Sequence, residues 1–274
     1  MTTPPFDELH TAACEKAQRW YLDPISGYRV FTAIALEKNG SCCGCACRHC
    51  PYGHESVPKT ARQHLVTDPF YVHVPDTEYT ATDVLFWSGG KDGFLALRRL
   101  EKEAARSITL LTTYDGRSGR VAHQDVHIEQ VRKQAKKLQT PHMLVPLFPG
   151  QDYVKRVHLG LRQLQRIRPI QRLAFGDLHL EHIRQWRFDN LAASPKLRNL
   201  ELCFPVWKAP YSQLMEELFS EHAEYVVTAI TTDACAQALS VGDRLTPERM
   251  MSLPPDVDTF GVNGEFHTLV KLLD

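Results

Sequence analysis

No stretch of the chain holds about 18 consecutive apolar residues, so no membrane-spanning helix is expected. The first ten residues, Met1 to His10, have neither a basic segment nor an apolar core. No secretory signal is therefore expected, and a cytosolic location follows. Net charge is also missing, since 32 Lys and Arg balance 32 Asp and Glu. The longer Gly-x4-Gly-Lys-Ser/Thr pattern of a Walker A loop is absent from the glycine-rich stretch at Ser88–Gly93. Absent too is the separation of a zinc ribbon's cysteine pairs, usually more than about a dozen residues. What is present is a 274-residue chain, 43% apolar and 23% charged, which is ordinary for a soluble globular protein. Its length suffices for one large or two modest domains with a proper core.

The neutral total hides an uneven distribution. Residues 97–172 carry 16 basic against 6 acidic side chains, residues 1–96 carry 8 against 11, and residues 173–274 carry 8 against 15. Such a basic block either attracts a polyanion, nucleotide or RNA, or forms the solvated faces of helices. Five of the eight cysteines, Cys42, Cys43, Cys45, Cys47 and Cys50, fall within nine residues. Thiolates so close repel one another unless a cation shares their charge. In a cytosolic protein this argues for an iron–sulfur cluster or zinc, with surface thiols or a redox pair as the alternative. The Cys43-x3-Cys47-x2-Cys50 spacing also matches a radical-SAM loop, but no barrel-forming repeat follows it directly.

Residues 1–20 read as a helical lead-in, with Leu9, Ala13 and Ala17 on one stripe, and Tyr28–Ala35 as a strand. Residues 55–80, with Pro58, Pro69 and Pro75, read as a linker. From Thr82 the chain alternates. Strands are expected at Val84–Phe86, Ile108–Tyr114, Met143–Leu147 and Arg172–Phe175, with helices at Phe94–Arg106, Val126–Leu138 and Tyr153–Arg166. This predicts an α/β fold: a parallel sheet with helices on both faces. A cysteine-rich module (residues 1–80) precedes that domain (residues 81–185). An α+β subdomain (residues 186–274) follows it, with a helix at Tyr211–Ser220 and a strand at Tyr225–Ile230.

Trp87-Ser88-Gly89-Gly90-Lys91-Asp92-Gly93 follows the first of these strands. Two glycines let backbone N–H groups converge on an anion, and the next helix points its positive end there. Lys91 adds a positive charge, and Asp92 suits a magnesium ion or a helix cap. Ligands of such sheets bind beyond the carboxyl ends of strands, so this loop, Thr112–Asp115 and Gly176–Asp177 should share one crevice. Asp177 equally suits an N-cap, with His179 and His182 as surface residues of a helix. The His-x2-His pair lacks a third ligand in view.

Ser88-Gly89-Gly90-Lys91-Asp92 directly after a strand resembles the pyrophosphate loop of the PP-loop ATP pyrophosphatases, a HUP-type fold. Phe175-Gly-Asp-Leu-His-Leu-Glu-His-Ile-Arg184 and Asp258-Thr-Phe-Gly-Val-Asn-Gly-Glu-Phe-His-Thr268 follow in order. Together the three are similar to the branch that includes diphthine–ammonia ligase. The resemblance implies binding of ATP and Mg2+, adenylation of an acceptor with loss of pyrophosphate, and displacement of AMP by a second nucleophile. It implies ATP contacts from Ser88, Gly89, Gly90, Lys91, Asp92, Gly93 and Thr113. Catalytic roles are implied for Lys91 on phosphate, Asp92 and Asp177 on magnesium, and Glu265 on the second nucleophile. The acceptor, whether small molecule, protein or tRNA, stays open. Three positions depart from the pattern: Gly93 replaces the loop's usual Ser, Phe260 a Cys, and Val262 a Glu. The front resembles a small bacterial cysteine-rich domain of unknown function with the pattern Cys-Cys-Gly-x-x-Cys-Arg-x-Cys-Pro-Tyr. That resemblance implies Cys42, Cys43, Cys47 and Cys50 as metal ligands. Two rival readings are an ATP-dependent tRNA sulfur transferase using the cysteine site, and a catalytically degenerate nucleotide sensor.

Overall fold

A computed structural model describes residues 5–23, 29–52, 54–58, 68–72, 81–103, 106–116, 118–122, 124–148, 150–192 and 200–273. The front holds α1 (Pro5–Glu15), β1 (Trp20–Leu22), β2 (Arg29–Phe31) and α2 (Ala33–Glu37). The middle runs β3 (Phe70–Val72), β4 (Thr82–Phe86), α3 (Lys91–Glu103), β5 (Ser107–Asp115), β6 (Arg120–Val121) and β7 (Val126–His127). It continues through α4 (Ile128–Lys137), β8 (His142–Leu147), α5 (Tyr153–Gln165), β9 (Ile170–Ala174) and α6 (Glu181–Arg187). A π-helical turn (Phe188–Ala192) extends α6. Then come β10 (Glu201–Cys203), α7 (Tyr211–Ser220), β11 (Ala223–Ile230), α8 (Asp233–Ala238), α9 (Pro247–Met251) and β12 (Phe266–Leu272).

The continuous apolar runs become the centre of a six-stranded sheet ordered β10–β9–β4–β5–β8–β3. Val84 and Leu85 of β4 are fully buried, as a strand covered on both faces requires. Five strands are parallel, but β3 pairs antiparallel with β8, so the sheet is mixed and not wholly parallel. β3 lies inside the expected linker, most of which falls outside the described residues. From β4 the chain steps to β5 and β8 on one side, then to β9 and β10 on the other. That is the doubly wound order 3-2-1-4-5, whose reversal point falls between β4 and β9.

Side-chain alternation along the strands splits the core. Leu85, Leu110, Leu144 and Ala174 pack with Leu97 of α3 and Val131 of α4. Val84, Leu111, Met143 and Leu173 pack with Val157 and Leu161 of α5 and Leu191 of the π turn. Helices thus cover both faces. Gly160 lets α5 approach closely, because a Cβ there would meet Val145 at 2.9 Å. α7 and the antiparallel β11–β12 ribbon add Leu214, Tyr225 and Phe266 to the α3/α4 core. The C-terminal segment therefore completes the first core and builds no separate one among the described residues.

Two local readings change. The strand expected over Tyr28–Ala35 is only Arg29–Phe31, and Tyr28 lies outside the described residues. Thr32 ends it by capping α2, its hydroxyl accepting from the Ala35 N–H. The helix expected from Val126 starts at Ile128, because Val126–His127 pairs with β6 and His127 caps α4. No helix among the described residues is long and apolar enough to cross a membrane.

Candidate active site

Trp87 to Gly90 join β4 to α3 at the reversal point of the sheet. Gly89 has φ +85°, and a Cβ there would lie 2.6 Å from Gln134 Oε1. Only glycine meets both conditions. Gln134 belongs to the buried stripe of α4, beside Val131 and Ala135. Its Nε2 donates to Gly89 O (3.0 Å) and Val270 O (2.7 Å), and its Oε1 accepts from Trp87 Nε1 (3.2 Å). Val270 N–H donates to Gly89 O at 2.9 Å, and Lys91 N–H donates to Thr268 Oγ1 at 3.2 Å. Gln124 Nε2 donates to Ser88 Oγ at 3.2 Å. The loop is therefore gripped by β12 and by two glutamines. Sequence reasoning assigned none of these clamping residues a role. The one signal was Gln134, a polar side chain inside an apolar stripe.

Lys91 is 2% exposed. Its Nζ lies 3.1 Å from Asp92 Oδ2, and 5.1 and 5.8 Å from the ring centres of Phe266 and Phe260. Asp92 is the second residue of α3. Its Oδ1 is buried and has no hydrogen-bond partner. Burial raises the Asp92 carboxyl above the ordinary range; Lys91 opposes the shift, while Asp258 and Asp177 add to it. An orphaned, electron-rich oxygen suits a hard cation, so Asp92 fits the magnesium expectation. Asp177 is differently placed. It does not cap α6, whose N-cap is Leu180. Arg187 holds it with Nε–Oδ2 at 2.5 Å and Nη2–Oδ1 at 2.9 Å.

Gly176 brings the two carboxylates to one place. A Cβ there would lie 2.8 Å from the Asp92 carbonyl and from Gly93 N, so only glycine lets the end of β9 press on the start of α3. Between them opens a cavity of about 590 Å³, a size suited to a small molecule. Ser88, Gly90, Lys91, Asp92, Gly93, Thr113, Gly176 and Asp177 all line it. Its apolar wall includes Leu111, Leu147, Tyr153, Phe175 and Trp186. Tyr153 hydrogen-bonds Thr113, and burial pushes its phenol up.

Gly89 and Glu265 do not line the cavity. Glu265 is buried, and its Oε1 accepts from Asp258 N–H and Asn263 Nδ2, both at 3.0 Å. It fastens the 258–264 loop, while its Oε2 is buried without a partner. Phe260 packs on Tyr211 at 4.7 Å, and Val262 joins the cavity wall. Tyr211 donates to Asp258 Oδ2 at 2.8 Å, with His179 Nδ1 3.2 Å away. His179 thus belongs to a tyrosine–aspartate network, whereas His182 is exposed.

In the front, Cys43 and Cys47 Sγ lie 3.6 Å apart, and Cys50 and Cys42 Sγ 3.8 Å apart. All four are free thiols. Among the described residues no three His, Cys, Asp or Glu side chains form a group able to hold a metal ion. Cys45 donates its thiol to Cys43 O at 3.5 Å and also hydrogen-bonds the Cys43 side chain. Arg48 Nη2 bonds Asp23 at 2.9 Å, Tyr21 OH bonds His49 at 2.9 Å, and Tyr52 OH donates to Glu37 O at 2.7 Å. These contacts tie the cysteine loop to β1 and α2.

Residues 9–56 match the model of a family of unknown function, DUF5522. Among solved structures, the chain is similar to a predicted subunit of tRNA methyltransferase from Methanocaldococcus jannaschii. The identity is 19% and the TM-score 0.34, over 54% of this chain and 81% of that one. It is also similar to the U34-tRNA thiolase NcsA from Methanococcus maripaludis, described with its [4Fe-4S] cluster. There the identity is 14% and the TM-score 0.32, over 74% and 70% of the two chains. Both scores are too low to establish a common architecture, and the doubly wound order stands on the strand pairing alone.

Proposed function

We propose that this protein is an ATP-dependent adenylating enzyme that releases pyrophosphate and then AMP. One observation carries the reading. At the reversal point of the sheet, Lys91 and Asp92 of the Ser88–Gly93 loop line one cavity with Gly176 and Asp177, and the Lys91 ammonium is held nearly fully buried against the Asp92 carboxylate. The helix N-terminus, Gly90, Gly93 and Lys91 form a seat for β- and γ-phosphates. Magnesium, when bound, neutralises phosphate charge, and Asp92 is the residue that would hold it. Arg187 and Asp177 form the facing wall, where the guanidinium fixes the carboxylate's direction. The acceptor's oxygen attacks the α-phosphorus as the bond to the β-phosphate bridge breaks. A second nucleophile then displaces AMP. The chain's contribution is positioning and charge neutralisation, as in phosphoryl transfer generally. The ordered motifs similar to the diphthine–ammonia ligase branch support this chemistry. Glu265 acts in it by holding the 258–264 loop.

The test is pyrophosphate and AMP release from ATP across a panel of carboxylate, amide and tRNA acceptors, with ammonia or sulfide as second nucleophile. AMP and pyrophosphate in equal amounts are expected with the right acceptor. ADP as the product contradicts the reading. A nucleotide-sensing role is favoured by one further observation: Arg187 bonds both oxygens of Asp177, which weakens that carboxylate's attraction for a cation. ATP binding with no turnover for any acceptor supports that role.

A further inference from the structure

The β1–β2 hairpin takes no part in the ATP reading, and its outer face carries exposed rings and charge of one sign. Trp20 pairs with Phe31 across the two strands, and Leu22 pairs with Arg29. Side chains alternate along a strand, so these four share one face while Tyr21 and Val30 share the other. Trp20, Leu22 and Phe31 are 38, 57 and 52% exposed. The opposite face is anchored, because Tyr21 is buried and its hydroxyl bonds His49 of the cysteine loop. The outer face is thus a fixed platform with two aromatic rings open to solvent. Arg29 lies over the Trp20 ring, 4.3 Å from its centre, which puts a positive charge beside that ring. Asp23, the single acidic residue between Trp20 and Phe31, is buried and bonded to Arg48. Arg19 and Arg29 are exposed and have no acidic partner among the described residues. Glu15 and Glu37 on the adjoining helices each stand beside an exposed lysine, Lys16 and Lys38. The two arginines are therefore surplus positive charge. A ring stacks on the face of any base, and arginine neutralises phosphate, so single-stranded nucleic acid answers both features. A purely apolar partner would cover the rings and leave both cations without a counter-charge. Two rings suffice for a few splayed bases, as in RNA loops, but not for the extended groove that tracks a long single strand. We propose that the β1–β2 face docks an unpaired loop of a folded RNA, with bases stacked on Trp20 and Phe31 and with Arg19 and Arg29 supplying charge to the flanking phosphates.

The full chain is titrated, with fluorescence anisotropy as readout, into three labelled probes: an RNA stem closed by a loop of unpaired bases, the same stem as a blunt duplex, and a DNA strand of the loop sequence. The RNA stem-loop is expected to bind tightest and to quench tryptophan emission. Trp20→Ala and Phe31→Ala should each weaken it at least about fivefold, the loss of one stacked base. Trp20→Phe keeps a ring and should bind as the wild type does, with the quenching reduced. Arg19→Gln should flatten the log–log dependence of affinity on salt by about 0.7, the mark of one lost phosphate contact on a single strand. A residue with a merely structural role would not move that slope. Circular dichroism checks that each variant folds. ATP affinity, read in parallel, should not change, which separates this face from the Ser88–Gly93 site. Equal affinity for stem-loop and blunt duplex, equal affinity for the DNA strand, binding of none of the three, or alanine variants that bind as the wild type does would each overturn the proposal. So would a dimer of the chain that Phe31→Ala dissolves, since the face would then be covered by a second copy.

Discussion

Lys91 is held between one carboxylate and two aromatic rings, so its ammonium is in place before any ligand arrives. A charge-assisted hydrogen bond to phosphate contributes about 1.5–3 kcal/mol. Lys91→Ala should therefore weaken ATP binding at least tenfold by titration calorimetry, and unchanged affinity contradicts the assignment. Asp92 gives a pH dependence with a definite sign. Its carboxyl ionises only above a value that burial lifts beyond the ordinary carboxylate range. Magnesium-dependent turnover should fall as pH drops through that raised value. Folding is penalised above it and relieved below it. In Asp92→Asn, a pH–rate profile of residual activity should lack this acid limb; an unchanged profile assigns the limb to another group. The two glycines that touch behave differently. At Gly93 a Cβ meets Trp87 at 3.5 Å, ordinary contact, so Gly93→Ser should fold with a stability change within about 0.5 kcal/mol. It adds a hydroxyl to the cavity wall and should tighten ATP binding. At Gly176 the 2.8 Å clash with backbone should make Gly176→Ala cost about 1–3 kcal/mol. Thermal unfolding of the pair checks the contrast, and equal effects argue against it.

At the scale of elements, the clamp on the loop comes from α4 and β12, both distant from it in sequence. Gln134→Leu removes three hydrogen bonds and leaves Trp87 Nε1 and Val270 O buried without this partner. The expected loss is about 1–3 kcal/mol in denaturant unfolding, with weaker ATP binding as the loop slackens. Neither change is expected if the glutamine only fills space. The long alternating elements were legible, α7 to the residue, because apolar period and length decide them. β3 and β10 were not. Each spans three residues, too short for a pattern, and their pairing depends on neighbours far along the chain. The Ser88–Gly93 loop was legible from its glycines. The position of Glu265 was not, because a Gly-Asn-Gly-Glu loop carries no sign of whether its carboxylate faces a cavity or its own backbone. Nor was Asp177's partner, since Arg187 enters range only through the turn of α6.

For the whole molecule, the basic middle block divides on folding. Lys133, Lys136 and Lys137 lie on the exposed side of α4. Arg156 and Arg172 are buried, bonded to Pro146 O and to Asp83. Part of the block is therefore structural and part is open to a polyanion. The doubly wound order gathers segments around residues 90, 113, 176 and 262 at one cavity, and β12 closes it from behind. The most direct test of the central claim is a crystal structure of the full chain with magnesium and a non-hydrolysable ATP analogue. The β- and γ-phosphates should lie against Ser88, Gly90 and Gly93 with Lys91 Nζ in contact, and a magnesium ion on the Asp92 carboxylate. Nucleotide bound elsewhere, or with its phosphates turned away from this loop, contradicts the account.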